Sequence, residues 1–467
     1  MDRERQLSVK ETRLVDRILL INPNWTGIQK QKQGQFKRAW PPLDLAQATA
    51  LLEREGFAVR LLDNNVERAS TEALGTLAGQ YDRIFITSSP YDRWQCPALD
   101  ISFFYDTIRH IPREKLYIMG AHVSERPETS LKATRARAAI IHEPEFTILD
   151  ICQRDLCPGQ RGVAMLENGQ LVKGPEVEFP DDMDAMPYPA FHLLPMQRYY
   201  YEVMGRDFAI LESSRGCPYR CTFCYLGMYG PHFRQKSIER FVDEVEWAVR
   251  KHGLRNIYFM DLEFALNKKF VIPFCEALIR RNLPLQWCCQ TRVTDVNDEV
   301  LPLMKRAGCK LIHFGVEAGT EHVLAATDKK ITMADAERAM RLMKKYEMQS
   351  ILFMNLGFPG ETIQDMDATI DFAIRLDPTF VSFHLIVPFP GTKLAEMVGI
   401  DEKELPPELY PQFNAKATVD LATLKRQLRK AYSRFYLRPG YLWHSLVGSE
   451  RHFLWDKCKI LYNLVAT

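Results

Sequence analysis

No apolar run in the 467 residues comes near the roughly 18–20 that a membrane-spanning helix needs. The opening Met-Asp-Arg-Glu-Arg is polar and mixed in charge, and no apolar stretch of the secretory kind follows it. An excess of either charge is also missing: 61 Lys and Arg stand against 59 Asp and Glu, a formal net charge of +2. That balance argues against nucleic acid or an anionic membrane as the main partner. There is no short repeat and no low-complexity tract. The expectation is a cytoplasmic protein. Disulfides are not expected either, because the eleven cysteines are odd in number and irregular in spacing. Cys96, Cys152, Cys157, Cys275, Cys288, Cys289, Cys309 and Cys458 share no ligand spacing and read as buried thiols.

What is present is a long alternation of strands and helices, enough for two or three domains. Arg17–Asn22 is a short apolar run closed by a Pro turn, and Leu43–Arg54 has helical spacing ending at Gly56. Strands are predicted at Phe57–Asp63, Arg83–Ser89, Lys115–Gly120 and Ala138–His142. Parallel strands need crossovers, so residues 1–150 read as a doubly wound, Rossmann-like sheet. Its ligand should lie beyond the carboxyl ends of the strands. Residues 151–205 lose the pattern and read as a Pro-bearing linker. A second series then begins, with strands at Phe208–Glu212, Asn256–Met260, Leu285–Gln290, Lys310–Gly315, Ser350–Leu356 and Phe380–Leu385. Six βα units over 206–400 predict a partial (β/α)6 barrel of TIM type, with its chemistry at the carboxyl ends of the strands. Residues 401–467 read as a helical tail rich in aromatics, including Tyr441, Trp443, Phe453 and Trp455.

Cys217, Cys221 and Cys224 stand apart as Cys-x3-Cys-x2-Cys, after a predicted strand and between turn-forming residues. Three thiolates on one tight loop reach three corners of a cubane cluster and leave one iron open, whereas electron carriers usually supply four cysteines. Zinc is the competing reading, with His232 as a fourth ligand.

The loop resembles that of the radical S-adenosylmethionine (SAM) enzymes. Similar segments follow in order: Phe259–Phe264, Gln290–Arg292, Phe314–Gly319, Leu356–Thr362 and Pro388–Thr392. The resemblance implies a 4Fe–4S cluster on Cys217, Cys221 and Cys224. It also implies SAM held among Phe223, Asp261, Glu263, Arg292, Glu317 and Gly357, with Asp261 and Glu263 near its amine and Phe223 near its adenine. Residues 17–150 resemble the cobalamin-binding domain that precedes many of these enzymes, through Pro41-Pro-Leu43, Glu55–Val59, Asp63, Gly120-Ala-His122 and His142–Glu145. The candidates this implies for cobalamin are Pro42, Asp63, Ser88, Tyr91, Gly120 and His122, with Trp40 also near. The Asp-x-His-x-x-Gly signature of mutase-type domains is absent, so no histidine is expected below the cobalt.

The implied activity is reductive cleavage of SAM to a 5′-deoxyadenosyl radical and C-methylation of an unactivated carbon on a small molecule; the aromatic tail suggests a hydrophobic one. A flavodoxin- or ferredoxin-type protein would supply the low-potential electron. Other outcomes of the same radical start are ring closure, as in anaerobic porphyrin cyclases, rearrangement and carbon–carbon coupling. A cobalamin- or redox-sensing protein is a further, non-catalytic reading. The aromatic tail either caps the open side of the barrel or makes a peripheral membrane contact.

Overall fold

The computed structural model describes residues 16–25, 40–176, 179, 181–401, 405–411, 414 and 416–447. The first sheet has the order β2-β1-β3-β4-β5-β6-β7. Its strands are β1 (Arg17–Asn22), β2 (Ala58–Asp63), β3 (Arg83–Thr87), β4 (Leu116–Met119), β5 (Ala138–Ile140), β6 (Val163–Glu167) and β7 (Gln170–Lys173). β1 to β5 pair in parallel, and β6 and β7 are antiparallel additions. Side chains alternate along a strand, so β1 feeds two cores. Ile18 and Leu20 join Leu45, Leu52, Ile148 and Ile151 on one face. Leu19 and Ile21 join Leu74, Phe104 and Leu131 on the other. Burial on both faces is why these strands read as nearly continuous apolar runs.

The expected linker at 151–205 is here largely structured. The helix Glu145–Arg154 crosses its start, and the β6–β7 hairpin turns at Asn168 and Gly169, both with positive φ. The Asn-Gly pair is the local signal for that turn. Beyond it, Phe191, Leu194, Met196, Tyr199 and Tyr201 are buried on short turns. Burial without periodicity is what hid this segment from a pattern-based reading.

The second sheet is parallel throughout, in the order β15-β14-β13-β12-β11-β8. Its strands are β8 (Phe208–Leu211), β11 (Asn256–Phe259), β12 (Gln286–Gln290), β13 (Cys309–Glu317), β14 (Gln349–Leu356) and β15 (Phe380–Leu385). A short ladder of β9 (Ser214–Arg215) and β10 (Arg234–Gln235) stands at the mouth of β8. Crossover helices start at capped positions: Ser237, and Thr332 and Thr362 in capping boxes with Asp335 and Asp365.

β15 is a sheet edge, whose unpaired backbone groups invite pairing with other chains. Here side chains meet them. Tyr436 Oη donates to Val381 O at 2.7 Å and accepts from Val381 N at 3.1 Å. Tyr432 Oη does the same at Phe383, at 2.9 and 3.1 Å, and Tyr441 Oη donates to Thr379 O at 3.0 Å. Tyr432 and Tyr436 are four residues apart on the helix Leu421–Tyr436, hence on one face. The described part of the tail thus covers the open edge. Trp443 is 66% exposed, and Phe453 and Trp455 lie outside the described residues. No described helix is long and apolar enough to cross a membrane.

Replacing both Tyr432 and Tyr436 with Phe keeps their rings and removes the edge hydrogen bonds. The expected cost is about 2–4 kcal/mol in urea unfolding, with increased light scattering at equal concentration. Unchanged stability and scattering would show that the edge needs no cover.

Candidate active site

The carboxyl ends of the two sheets face each other across the cysteine loop. β9 and β10 pin the ends of that loop, Arg215 opposite Arg234. Gly216 has φ +81°, and a Cβ there would lie 1.9 Å from His232 O, so the turn into Cys217 requires glycine. Thr222 N donates to Thr327 O at 2.9 Å and Leu394 N to Thr222 O at 2.7 Å, which docks the loop's middle on two barrel segments. On the other side the loop touches the first sheet. Tyr225 Oη donates to Ala121 O at 3.3 Å, Ser124 Oγ to Met228 Sδ at 3.4 Å, and Tyr229 lies edge-on to Trp94 at 5.4 Å.

Cys217 is buried, and Cys221 and Cys224 are half-buried; all are free thiols. Burial pushes the Cys217 thiol up to about 12. The Cys224 thiol is raised by burial and by the neighbouring charges of Cys96, Cys221 and Cys217. The Cys221 thiol is also raised by burial, against the pull of Lys329 and Arg292. Holding metal therefore means releasing protons, and the nearby cations favour the thiolate form. Among the described residues no group of three or more His, Cys, Asp or Glu is placed to hold a single ion, and His232 is exposed. Cubane thiolates each meet a different iron, so they need not converge on one ion.

Beside the thiols are polar atoms that lack partners. Arg292 is only 2% exposed, yet its Nε and Nη1 have no hydrogen-bond partner. Its guanidinium lies 3.8 Å from the centre of the Tyr219 ring, and Nη2 is held by Lys329 O. Glu263 Oε2 is likewise unpartnered, and burial pushes its carboxyl up to about 8 although Lys329 and Arg292 oppose this. Across β13, Lys329 Nζ donates to Glu317 Oε1 at 2.6 Å and Asn355 Nδ2 to Glu317 Oε2 at 2.5 Å. Glu317 sits at φ +74°, a left-handed conformation rare for glutamate and of the kind that collects at functional sites. A Cβ on Gly315 would come within 2.2 Å of Lys329 Nζ and 2.3 Å of Glu317 Oε1, so glycine makes room for this pair. These features suit a cluster with an outside ligand that carries both an amine and a carboxylate.

The remaining expected SAM residues are turned to other tasks or half-placed. Asp261 is fully buried and accepts from Ser213 N, Ser213 Oγ and Ser214 Oγ, which fixes the strand feeding the cysteine loop. Gly357 N donates to Glu361 Oε2 at 2.5 Å and Gly357 O accepts from Asn414, so Gly357 shapes a turn. Phe223 is half-buried, edge-on to Phe358 at 5.9 Å.

In the first sheet, Asp63 is fully occupied. It accepts from Asn22 Nδ2 at 2.9 Å, Tyr199 Oη at 2.7 Å and Asn65 N at 3.1 Å, and it has no exposed surface. Those three bonds give it a folding role. Gly120 has φ +105° and abuts Ser88 and Ser89 closely enough that a Cβ would overlap both. Pro42 caps the helix Leu43–Arg54, and Trp40 packs on Tyr201, Phe208 and Tyr258. Ser88 Oγ and His122 Nδ1 are buried at the strand ends with no partner. Burial pulls His122 down to about 4, so its ring is neutral, with Nε2 at 2.7 Å from Ala98 O. Tyr91 lies under the guanidinium of Arg215.

Two features had gone unread in the sequence. Lys329 has no local pattern to announce it. The acidic residues Glu143, Glu145 and Glu212 converge on Arg215, which is buried completely.

Residues 211–373 match the model of the radical SAM superfamily. That stretch is a radical SAM domain. That superfamily works with a 4Fe–4S cluster and SAM. The chain is 29% identical over 450 residues to an uncharacterized methyltransferase of Pyrococcus horikoshii, covering 92% of this chain and 94% of that one. It is 28% identical to the anaerobic magnesium-protoporphyrin IX monomethyl ester cyclase of Cereibacter sphaeroides, but covers only 49% of its length and uses 63% of its own. Among solved structures, the radical SAM methyltransferase TsrM of Kitasatospora setae, with cobalamin and a 4Fe–4S cluster bound, superposes with TM-score 0.65 at 19% identity over 83% of this chain and 76% of that one. The cobalamin-dependent radical enzyme OxsB gives TM-score 0.70 at 18% identity, over 91% and 67%. At these identities the likeness is one of fold.

Asp44, beside this site, offers a test by pH. Its carboxyl is pushed up to about 8, first by burial and then by Glu145. The folded protein keeps this proton up to about pH 8, while the unfolded chain releases it near 3.8. Stability from this group is therefore full below pH 4 and lost as pH rises to 8, by at most about 1.4 kcal/mol per pH unit. Asp44→Asn should flatten urea-unfolding stability across that window. An unchanged pH profile would mean that Asp44 is ionised in the fold.

Proposed function

We propose that the protein is a cobalamin-dependent radical SAM enzyme that adds a methyl group to an unactivated carbon of a small, hydrophobic molecule. The observation that carries this reading is the placement of a three-thiol loop between the carboxyl ends of the parallel strands of the two sheets. In this reading the first sheet is a doubly wound cobalamin-binding domain and the second a partial barrel. The methyltransferase relative of Pyrococcus horikoshii, matched over nearly its whole length, supports methyl transfer. The cobalamin in the two structural neighbours supports the assignment of the first sheet.

When bound, the cluster and SAM supply a 5′-deoxyadenosyl radical that abstracts hydrogen, and cobalamin supplies the methyl group. The chain's own part is to hold and shield. Cys217, Cys221 and Cys224 would bind three irons. Glu263 offers an unpartnered carboxylate oxygen to an amine, and Arg292 offers two unpartnered N–H groups to a carboxylate. Such charge-assisted contacts are the strong ones in a buried site. Lys329 and Asn355 fix Glu317 at the strand end, where it borders the same space. At the facing end, Ser88 and His122 present unpartnered polar atoms to cobalamin, and the neutral His122 ring needs no counter-charge. The arrangement asks no residue to act as a general base on carbon, since the hydrogen leaves as an atom. The electron would come from a flavodoxin- or ferredoxin-type donor.

The test starts from protein purified without oxygen and supplied with iron, sulfide and hydroxocobalamin. The expected result is bound corrinoid, iron–sulfur absorption, and 5′-deoxyadenosine by mass spectrometry after SAM and a low-potential reductant are added. Cys221→Ala should lose both the absorption and the cleavage. Cleavage that survives this change would remove the loop from its role, and cleavage by a wild type that takes up no corrinoid would remove cobalamin.

A further inference from the structure

Arg215 lies two residues before Cys217 and has no exposed surface. Its Nε donates to Glu212 Oε2 at 2.9 Å and its Nη1 to Glu143 Oε2 at 2.8 Å. Its Nη2 reaches Glu145 Oε1 at 2.7 Å, Glu212 Oε1 at 2.8 Å and Gln47 Oε1 at 3.0 Å. Only Glu212 belongs to the barrel; Gln47, Glu143 and Glu145 belong to the first sheet and its helices. The guanidinium also lies 5.5 Å from the centre of the Tyr91 ring and 5.6 Å from that of Trp94. Both rings sit on the turn that follows Ser88 and Ser89, and Trp94 Nε1 donates to Ser89 O at 3.2 Å. Arg234, across the β9–β10 ladder, takes the other oxygen of Glu143.

The guanidinium is a planar fork, and here its directions are set by carboxylates from two segments and by the Gln47 amide from a third. A shift of the 88–94 turn would therefore change the ring face that lies against the fork. The fork is joined to Cys217 through Gly216 alone, which sits at φ +81° with no room for a Cβ beside His232 O. We propose that Arg215 is a positioning residue that couples occupancy of the first sheet's strand ends to the geometry of the cluster loop. This rests on the cobalamin reading above. Coupling of this kind is reciprocal in binding free energy: corrinoid alters the cluster's surroundings, and the cluster alters corrinoid affinity by one factor.

The experiment measures hydroxocobalamin affinity by its visible spectrum, with and without the cluster, in wild type and Arg215→Lys. In parallel, 57Fe Mössbauer spectra of the cluster are taken with and without corrinoid, since that method sees iron and not cobalt. Wild type should bind corrinoid tighter with the cluster loaded, on the order of 5-fold or more, and its quadrupole splitting should change on corrinoid binding. Arg215→Lys keeps the charge and loses the fork. It should take up iron and corrinoid but show equal affinity in both states and no change in splitting. Trp94→Leu, which leaves every carboxylate in place, is the second variant should Arg215→Lys fail to fold, and it should reduce both effects. Full coupling in a folded variant, or corrinoid binding in wild type with no effect on iron, would overturn the inference and leave the cobalamin reading intact. Absence of corrinoid binding in wild type would overturn both.

Discussion

Four buried carboxylate-bearing or amide side chains are organised around one guanidinium, and the meeting of the two sheets depends on it. Glu212, Glu143, Glu145 and Gln47 all aim at Arg215 and are buried with it. Such a cluster is weak evidence for stability as such, because desolvating charges opposes folding. What it supplies is direction. Apolar surfaces slide and rotate at little cost, whereas a fork held by several charged partners has one good orientation. The proton kept on Asp44 belongs to the same economy: with Glu145 so close, another negative charge is disfavoured.

From that joint the site is built outward in two directions. Toward the barrel, Asp261 holds Ser213 and Ser214, so the strand preceding the cysteines is fixed on both sides. Toward the first sheet, Tyr225 and Met228 rest on residues 121–124. In the proposed site the partnerless atoms of Arg292 and Glu263 are the ones a bound ligand would satisfy.

The two sheets were legible because parallel strands buried on both faces leave continuous apolar runs, as Ile18–Ile21 and Ile84–Ile86 do. The cysteine spacing was legible because cluster chemistry fixes it locally. Asp63 was legible as an acid at a strand end, a position shared by ligand contacts and by helix caps; its bond from Tyr199, far away in sequence, was not. Arg215 and Lys329 were illegible for the same reason. A buried ion pair is defined by partners from distant segments, and one sequence does not display those pairings. The stretch from Phe191 to Tyr201 was missed because it packs as a string of turns, with neither period to reveal it.

The tyrosines on β15 also set how the second sheet ends. A sheet that closes on itself is held shut by a full ladder of backbone bonds, and its girth is then fixed. Here the last strand is finished by side-chain hydroxyls from a separate helix. Side chains of that length can swing without unzipping a strand. The edge of β15 is therefore closed by one helix face, and the sheet does not need β8 as a hydrogen-bonding partner for β15.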